Sequence, residues 1–230
     1  MPIGAVLVNL FGAPAGAGAV EFGFESAVGY SESEDARPWS AFNVTITSDS
    51  DLVIVAAGSE VFDVDGITLG GTAMTLFGTA EAQSTRPTRF YYLSKAGAGG
   101  GWPSPGSRPV VVTPANAQQG MAAAVVLKGA AQTAPGFAAD SATSSRTAMS
   151  IATSVSADGF LFCAGVANGG NANPLSISLP TIINAGAIPS VTASFEARYD
   201  QAPSANETVT GTCWANTYCA IGAAWVSPAS

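Results

Sequence analysis

The 230-residue chain is 47% hydrophobic and only 10% charged, with 26 glycines, 14 prolines, a net charge of −8 and no histidine. Average domains carry about 25% charged residues, so this surface must be built from Ser, Thr, Asn, Gln, Gly and Ala, which suits faces covered by neighbouring subunits better than a freely diffusing enzyme. The missing histidine removes the commonest general base, the usual zinc ligand and every Ser-His-Asp or Cys-His arrangement, and the lack of Lys and Arg clusters argues against nucleic acid as a partner.

The chain opens with MPIGAVLVNLFGAPAGAGAV. No Lys or Arg precedes its apolar run, as a secretory leader requires, and Asn9, Gly12 and Pro14 break it. It reads as a first strand at 5–10, followed by a second at 19–24. No 18-residue apolar stretch suited to spanning a membrane occurs, so no membrane partner is expected. GYSESEDARPW (29–39) reads as a polar loop and hinge. Residues 1–40 are therefore expected to form an N-terminal arm, added to a single all-β sandwich or jelly-roll domain at 41–230. Acidic residues crowd this region: Glu21, Glu25, Glu32, Glu34, Asp35, Asp49, Asp51, Glu60, Asp63 and Asp65 precede residue 66, against Arg37 alone. They make either a solvated face or a docking face for a basic surface.

Short β-prone runs follow, separated by Gly, Pro, Asn, Asp and Ser. Strands are predicted at 41–47, 52–58, 66–70, 72–78, 89–94, 108–113, 121–129, 147–156, 159–167, 175–180, 191–200, 208–214 and 219–227. With the two N-terminal ones this is a fold of about 12–15 short strands. The run AQQGMAAAVVLKGAAQ has enough alanine for a helix, but its Val-Val-Leu centre and flanking glycines favour a buried strand. SKAGAGGGWPSPGSRP (94–109) is a Gly/Pro-rich excursion, long enough to be exposed or gripped by a partner.

DVDGITLGGTAMTLFG (63–78) begins like a calcium loop, with Asp63 and Asp65 before Gly66. Such a loop needs later oxygen donors and a glutamate at its twelfth position, where this chain has Met74. The stretch reads instead as a hairpin closed by Gly70-Gly71. Paired carboxylates of the glycosidase kind could come from Glu32, Glu34 and Asp35 or from Glu196 and Asp200, but the first set lies in a polar segment and Arg198 can neutralise the second. No serine sits in G-x-S-x-G, and GAGGGW leads into no phosphate-binding lysine. No catalytic residue, metal site or cofactor is expected. Cys163, Cys213 and Cys219 are too few for a zinc cluster; Cys213 and Cys219 could face each other across a hairpin or stay reduced. Phe90 and Tyr92 share one strand face and belong to the core. Trp39, Trp102 and Trp214 remain as candidate contacts to a partner or glycan, the last two, near loops, being the better exposed.

Taken in order, TSDSDLVIVAAG, DGITLGGTAMTLFG, RFYYLS, GMAAAVVLKGAAQTAP, ADGFLFCAGVA and CAIGAAWVSPAS resemble a β-sandwich domain found in tailed-bacteriophage virion proteins and some bacterial surface proteins. There a V-T-x-G-G-x-A-L-T hairpin precedes an aromatic strand ending in Tyr-Leu, then an A-V-x-L-x-G-V-x-Q-x-x-P segment and a closing W-x-x-x-x-V-x-L strand. Here these elements are 67–75, Tyr92-Leu93, 124–135 with Gln132 and Pro135 in place, and, more loosely, 220–226. The resemblance spans about residues 42–228. It implies a non-enzymatic virion component, of capsid-decoration or of tail and fibre type without choosing between them; the expectation adopted is a capsid decoration (cement) protein outside the shell, bound to the major capsid protein, with its own copies as a homo-oligomer, a trimer being the guess. Its contacts would come from residues 1–40 and 94–109. The alternatives are a tail or fibre protein meeting a host receptor or glycan, and a glycan-active enzyme.

Overall fold

Alternating burial along short segments, interrupted by turns, gives a chain that is almost entirely strand. The computed structural model describes residues 21–59, 63–82, 86–141, 147–168, 175–188, 193–213 and 218–229. The first half contributes β1 (Gly23–Ala36), β2 (Phe42–Ile46), β3 (Ser50–Ser59), β4 (Val64–Leu69), β5 (Thr72–Ala73), β6 (Thr75–Ala82), β7 (Arg86–Ser94), β8 (Gly106–Pro114) and β9 (Gln118–Lys128), with a single-turn helix α1 (Lys95–Ala98) after β7. The second contributes β10 (Gly136–Asp140), β11 (Ala148–Ala152), β12 (Phe160–Asn168), β13 (Ser176–Ile177), β14 (Thr181–Ala187), β15 (Ala193–Asp200), β16 (Thr208–Thr212) and β17 (Tyr218–Val226).

The strands form four antiparallel sheets. The first half builds a large sheet in the order β1-β9-β3-β7-β6 and a small one in the order β2-β8-β4-β5. The second builds a large sheet β10-β17-β12-β15-β14 and a small one β11-β16-β13. Leaving β5 aside, the two halves have the same strand order, so each is a jelly roll and the chain is an internal duplication. The registers agree: Ile54 pairs with Tyr92 and Val125, and Phe162 pairs with Tyr199 and Ala224.

The sheets stack as small, large, large, small around three cores. The inner core lies between the two large sheets and holds Leu52, Ile54, Phe90, Leu127, Phe160, Phe162 and Phe195. The first outer core joins large to small sheet through Val44, Val53, Val55, Leu69, Val110 and Val126, and the second through Met149, Ile151, Leu161, Val209 and Ile221. The large sheets are thus buried on both faces, whereas antiparallel sheets commonly leave one face to water. That is why β3, β9, β12 and β17 read as unbroken apolar runs, and why the alanine-rich β9 is a strand: small side chains on both faces let neighbouring layers approach. In the small sheets β2 and β11 alternate strictly between buried and exposed.

Between the large sheets β1 lies over β14 and β6 over β10, with β3 facing β12. This is a pseudo-two-fold arrangement about an axis along the strands. Glycines permit the close approaches: a Cβ on Gly29 would fall 2.8 Å from Asn184, and one on Gly78 would fall 2.5 Å from the Phe137 ring. The chain reversal at Gly70-Gly71 (φ 58° and 87°) joins β4 to β5 as the hairpin expected from the sequence.

Two expectations change. The segment 29–39, read as a loop and hinge, is strand as far as Ala36; it is an edge strand whose Glu34 and Asp35 are exposed while Glu32 is buried and the backbone pairs with β9. Residues 23–36 are therefore the first strand of a jelly roll rather than part of an arm, and the rest of that arm, 1–20, lies outside the described residues. The all-β sandwich or jelly-roll fold expected from the sequence is what the chain forms, as two jelly rolls sharing a core.

Candidate functional site

Equivalent strands β7 and β15 carry the polar side chains that tie large sheets to small ones. Tyr91 pairs with Val55 and Arg198 with Cys163, which are equivalent positions. The Tyr91 hydroxyl donates to the Val64 carbonyl (2.9 Å), and Arg198 Nη1 donates to the Leu179 carbonyl (3.0 Å). Two residues earlier, the charge is reversed between halves. Arg89 binds Asp63 through both Nε and Nη2 and reaches Glu81 at 3.3 Å. Glu196, 2% exposed, accepts from Arg198 Nε and from the Ile177 amide (3.2 Å). Burial raises the Glu196 pKa, against the opposing pull of Arg198. Burial also pushes Asp63 upward, but the hydrogen bond and charge of Arg89 outweigh it and leave the group below its ordinary value.

Of the carboxylates considered for catalysis, Glu196 and Glu32 have structural partners, Asp200 accepts from the Ala202 amide (2.9 Å), and Glu34 and Asp35 are exposed on β1. Glu32 is buried in β1, accepting from the Tyr30 hydroxyl (2.7 Å) and the amides of Ser40 (2.9 Å) and Glu34 (3.2 Å). Burial pushes its carboxyl up, and those donors more than reverse the effect. Burial and the neighbouring Glu32 push the Tyr30 hydroxyl to about 12. Asp65 pairs with Arg37 at 2.9 Å where both side chains are half exposed, a contact of small energetic value. Among the described residues no group of three His, Cys, Asp or Glu is placed to hold a metal ion, and no helix is long and apolar enough to cross a membrane.

A cleft of about 420 Å³ is lined by Ser48, Asp51, Lys95, Gln132 and Ala229. Its polar groups serve the fold: Lys95 donates to the Ser48 carbonyl, Asp51 accepts from the Ala130 amide, and Gln132 accepts from the Ala96 amide. They hold the junction between halves to the start of β3.

Trp39 and Trp102 do not form an exposed platform. Trp39, expected as a partner or glycan contact, is 2% exposed; its Nε1–H donates to the Gln118 carbonyl (2.8 Å) and its ring occupies the space a Gly120 side chain would need. Its burial follows from the indole filling the end of the first outer core. Trp102 packs half-buried against the same core, and Trp214 lies outside the described residues. Cys213 and Cys219 are joined by a disulfide that ties the end of β16 to the start of β17; Cys163 is free and buried, and burial raises its thiol pKa.

What sequence reasoning missed is the character of the two outer faces. On the second small sheet Ala148, Ser150, Ala152, Thr208, Thr210 and Thr212 are all exposed, in register across β11 and β16. On the first, Asn43, Thr45, Ser107 and Pro109 are exposed across β2 and β8. The T-x-T-x-T spacing was the available signal. Searches against protein-family models, curated proteins and solved structures found no match to this chain.

Proposed function

We propose that the chain is a structural protein of a tailed-phage particle, a decoration protein bound outside the shell and contacting the major capsid protein. The family part of this reading rests on the sequence resemblance. The observation that carries the binding role is the uncharged outer face of the second small sheet, with an uncharged patch across β2 and β8 of the first. Exposed strand faces are ordinarily polar and often charged, whereas the second small sheet shows water only Ser, Thr and Ala at the positions named above. Ser and Thr hydroxyls can be desolvated against a partner at far lower cost than ammonium or carboxylate groups. The two faces lie on opposite sides of a four-layer body, so one copy can bridge two subunits. Separating them then requires breaking an added interface, and many copies multiply individually weak contacts.

Co-sedimentation of the purified chain with purified shells, followed by reconstruction of the particle, tests this. Many copies on the outer shell are expected. Thr210→Lys and Thr45→Lys, exposed and outward, should weaken binding without altering the melting temperature. A few copies at the tail tip, or none on the particle, would overturn the decoration reading.

A further inference from the structure

The two halves turn the same corner with different bonds. β8 passes into β9, and its equivalent β16 passes into β17, each carrying the chain from a small sheet to an inner strand of a large one. At the first corner the ties are hydrogen bonds. Arg37 Nε donates to the Pro114 carbonyl (2.8 Å), the Ala115 amide to the Asp63 carbonyl (2.7 Å) and the Trp39 indole to the Gln118 carbonyl (2.8 Å). At the second corner the tie is the Cys213–Cys219 bridge. Of these ties the disulfide alone is made and broken by electron transfer.

The strand ladders position both cysteines independently of the bridge. The Cys213 amide donates to the Thr147 carbonyl (3.1 Å), beyond the Ala148–Thr212 pair of β11 and β16. Cys219 pairs with Ala167 of β12. With Cα atoms 6.8 Å apart, the two stay neighbours as thiols. Both stand at strand ends, Cys213 just past Thr212 and Cys219 second in β17. Strand ends open locally at small cost, which admits a reductant to residues that are 7% and 0% exposed. Cys163 does not compete. It pairs with Ala223, about 13 Å along β17 from Cys219 at about 3.3 Å per residue, and burial, which raises its thiol pKa, keeps it from the reactive thiolate form.

We propose that the Cys213–Cys219 bridge is a redox switch, fastening the outer layer β11-β16-β13 when oxidised and loosening it when reduced, while the first half is unaffected. The reductant is a dithiol. Its thiolate attacks the sulfur of Cys213, the more exposed of the two, and the S–S bond breaks with Cys219 leaving as a thiolate that takes a proton. The second thiol of the reductant then displaces Cys213. The protein has gained two electrons and two protons, and the dithiol has become a cyclic disulfide. A small disulfide such as oxidised glutathione runs the reaction backwards and leaves as two thiols. The layer carries the Ser, Thr and Ala face described above, so its rigidity follows the redox state; only the consequence for shell binding rests on the proposed function.

Hydrogen exchange read by mass spectrometry tests the switch on the full chain, first oxidised and then reduced with dithiothreitol in the absence of denaturant. Reduction should speed exchange in β11, β16 and the start of β17 roughly 30-fold, the loop-closure contribution of a short bridge. β2, β8 and the start of β9 should not respond, and oxidised glutathione should restore the slow rates. Cys163→Ala should behave as wild type. The protein carrying both Cys213→Ser and Cys219→Ser should exchange at the reduced rate with or without dithiothreitol. A chain that forms no bridge on oxidation, a bridge that opens only in denaturant, equal acceleration in both halves, or a response lost in Cys163→Ala would overturn the switch. Co-sedimentation of oxidised and reduced protein with shells is a separate reading. Binding in neither state counts against the proposed function and leaves the exchange result standing.

Discussion

The N-terminal half closes its small sheet with a backbone hairpin, β4-β5, whereas the C-terminal half has, among the described residues, only the two-residue β13 at the equivalent place. Side chains of β15 compensate. Ser194 accepts from the Leu175 amide, Glu196 from the Ile177 amide, and Arg198 donates to Leu179, while the Cys213–Cys219 disulfide ties the small sheet to the large one. Where the ladder is short, buried polar groups take over its role. They must then be fully partnered, since an unpaired buried carboxylate or amide is costly.

The largest expected effect tests whether the halves are one folding unit. Phe162→Ala empties part of the inner core shared by both jelly rolls and should cost about 3–5 kcal/mol. Calorimetry should show one transition shifted down; two separate transitions would break the picture of a shared core. Glu196→Ala comes next. It strands Arg198 and the Ile177 amide in a buried site, for a loss of about 3 kcal/mol, whereas Arg89→Ala leaves the half-exposed Asp63 to water and should cost about 1 kcal/mol. Equal urea midpoints for the two variants would sink the distinction between clamp and ladder. Replacing Cys213 and Cys219 together by Ser should remove about 2 kcal/mol, the loop-closure contribution of a short bridge, with faster amide exchange in β16 and the start of β17 and little change in β4.

The smallest effect is on pH dependence. Asp63 and Glu32 have lowered folded values, so their stabilisation is present at neutral pH and is lost as pH falls below about 4, the ordinary carboxylate range. Glu196 is raised: its contribution is full below the ordinary glutamate value and is lost as pH rises through the raised one. Mild acidification from neutrality should therefore slow amide exchange around β13 and β15, and stronger acid should then loosen β4 and β7. Asp51, also raised by burial, follows Glu196 and softens the contrast in the first half. Uniform protection changes in both halves would contradict these assignments.

Much of the fold was legible because local patterns sufficed. Phe42, Val44 and Ile46 alternate with polar residues and form a strand with one buried face; Gly70-Gly71 dictates a tight reversal; the Val-Val-Leu centre of β9 outweighs its alanines. Residues 29–39 were not legible, since an acidic edge strand has the composition of a loop and its pairing with β9 is a long-range event. Nor was the duplication, because buried apolar side chains interchange freely: Leu52, Ile54 and Ala56 in one half become Phe160, Phe162 and Ala164 in the other.

By itself the sequence determined the all-β character, the turn chemistry, the scarcity of charge and the absence of histidine chemistry, all of which depend on residue type and short spacing. The tertiary structure alone decided that Trp39 is core, that Glu32 and Glu196 have structural partners, that the exposed positions across β11 and β16 and across β2 and β8 are uncharged, and that Leu76 and Ile182 are equivalent. Each of those depends on which distant strands become neighbours, and that is settled by the burial of both faces of the large sheets.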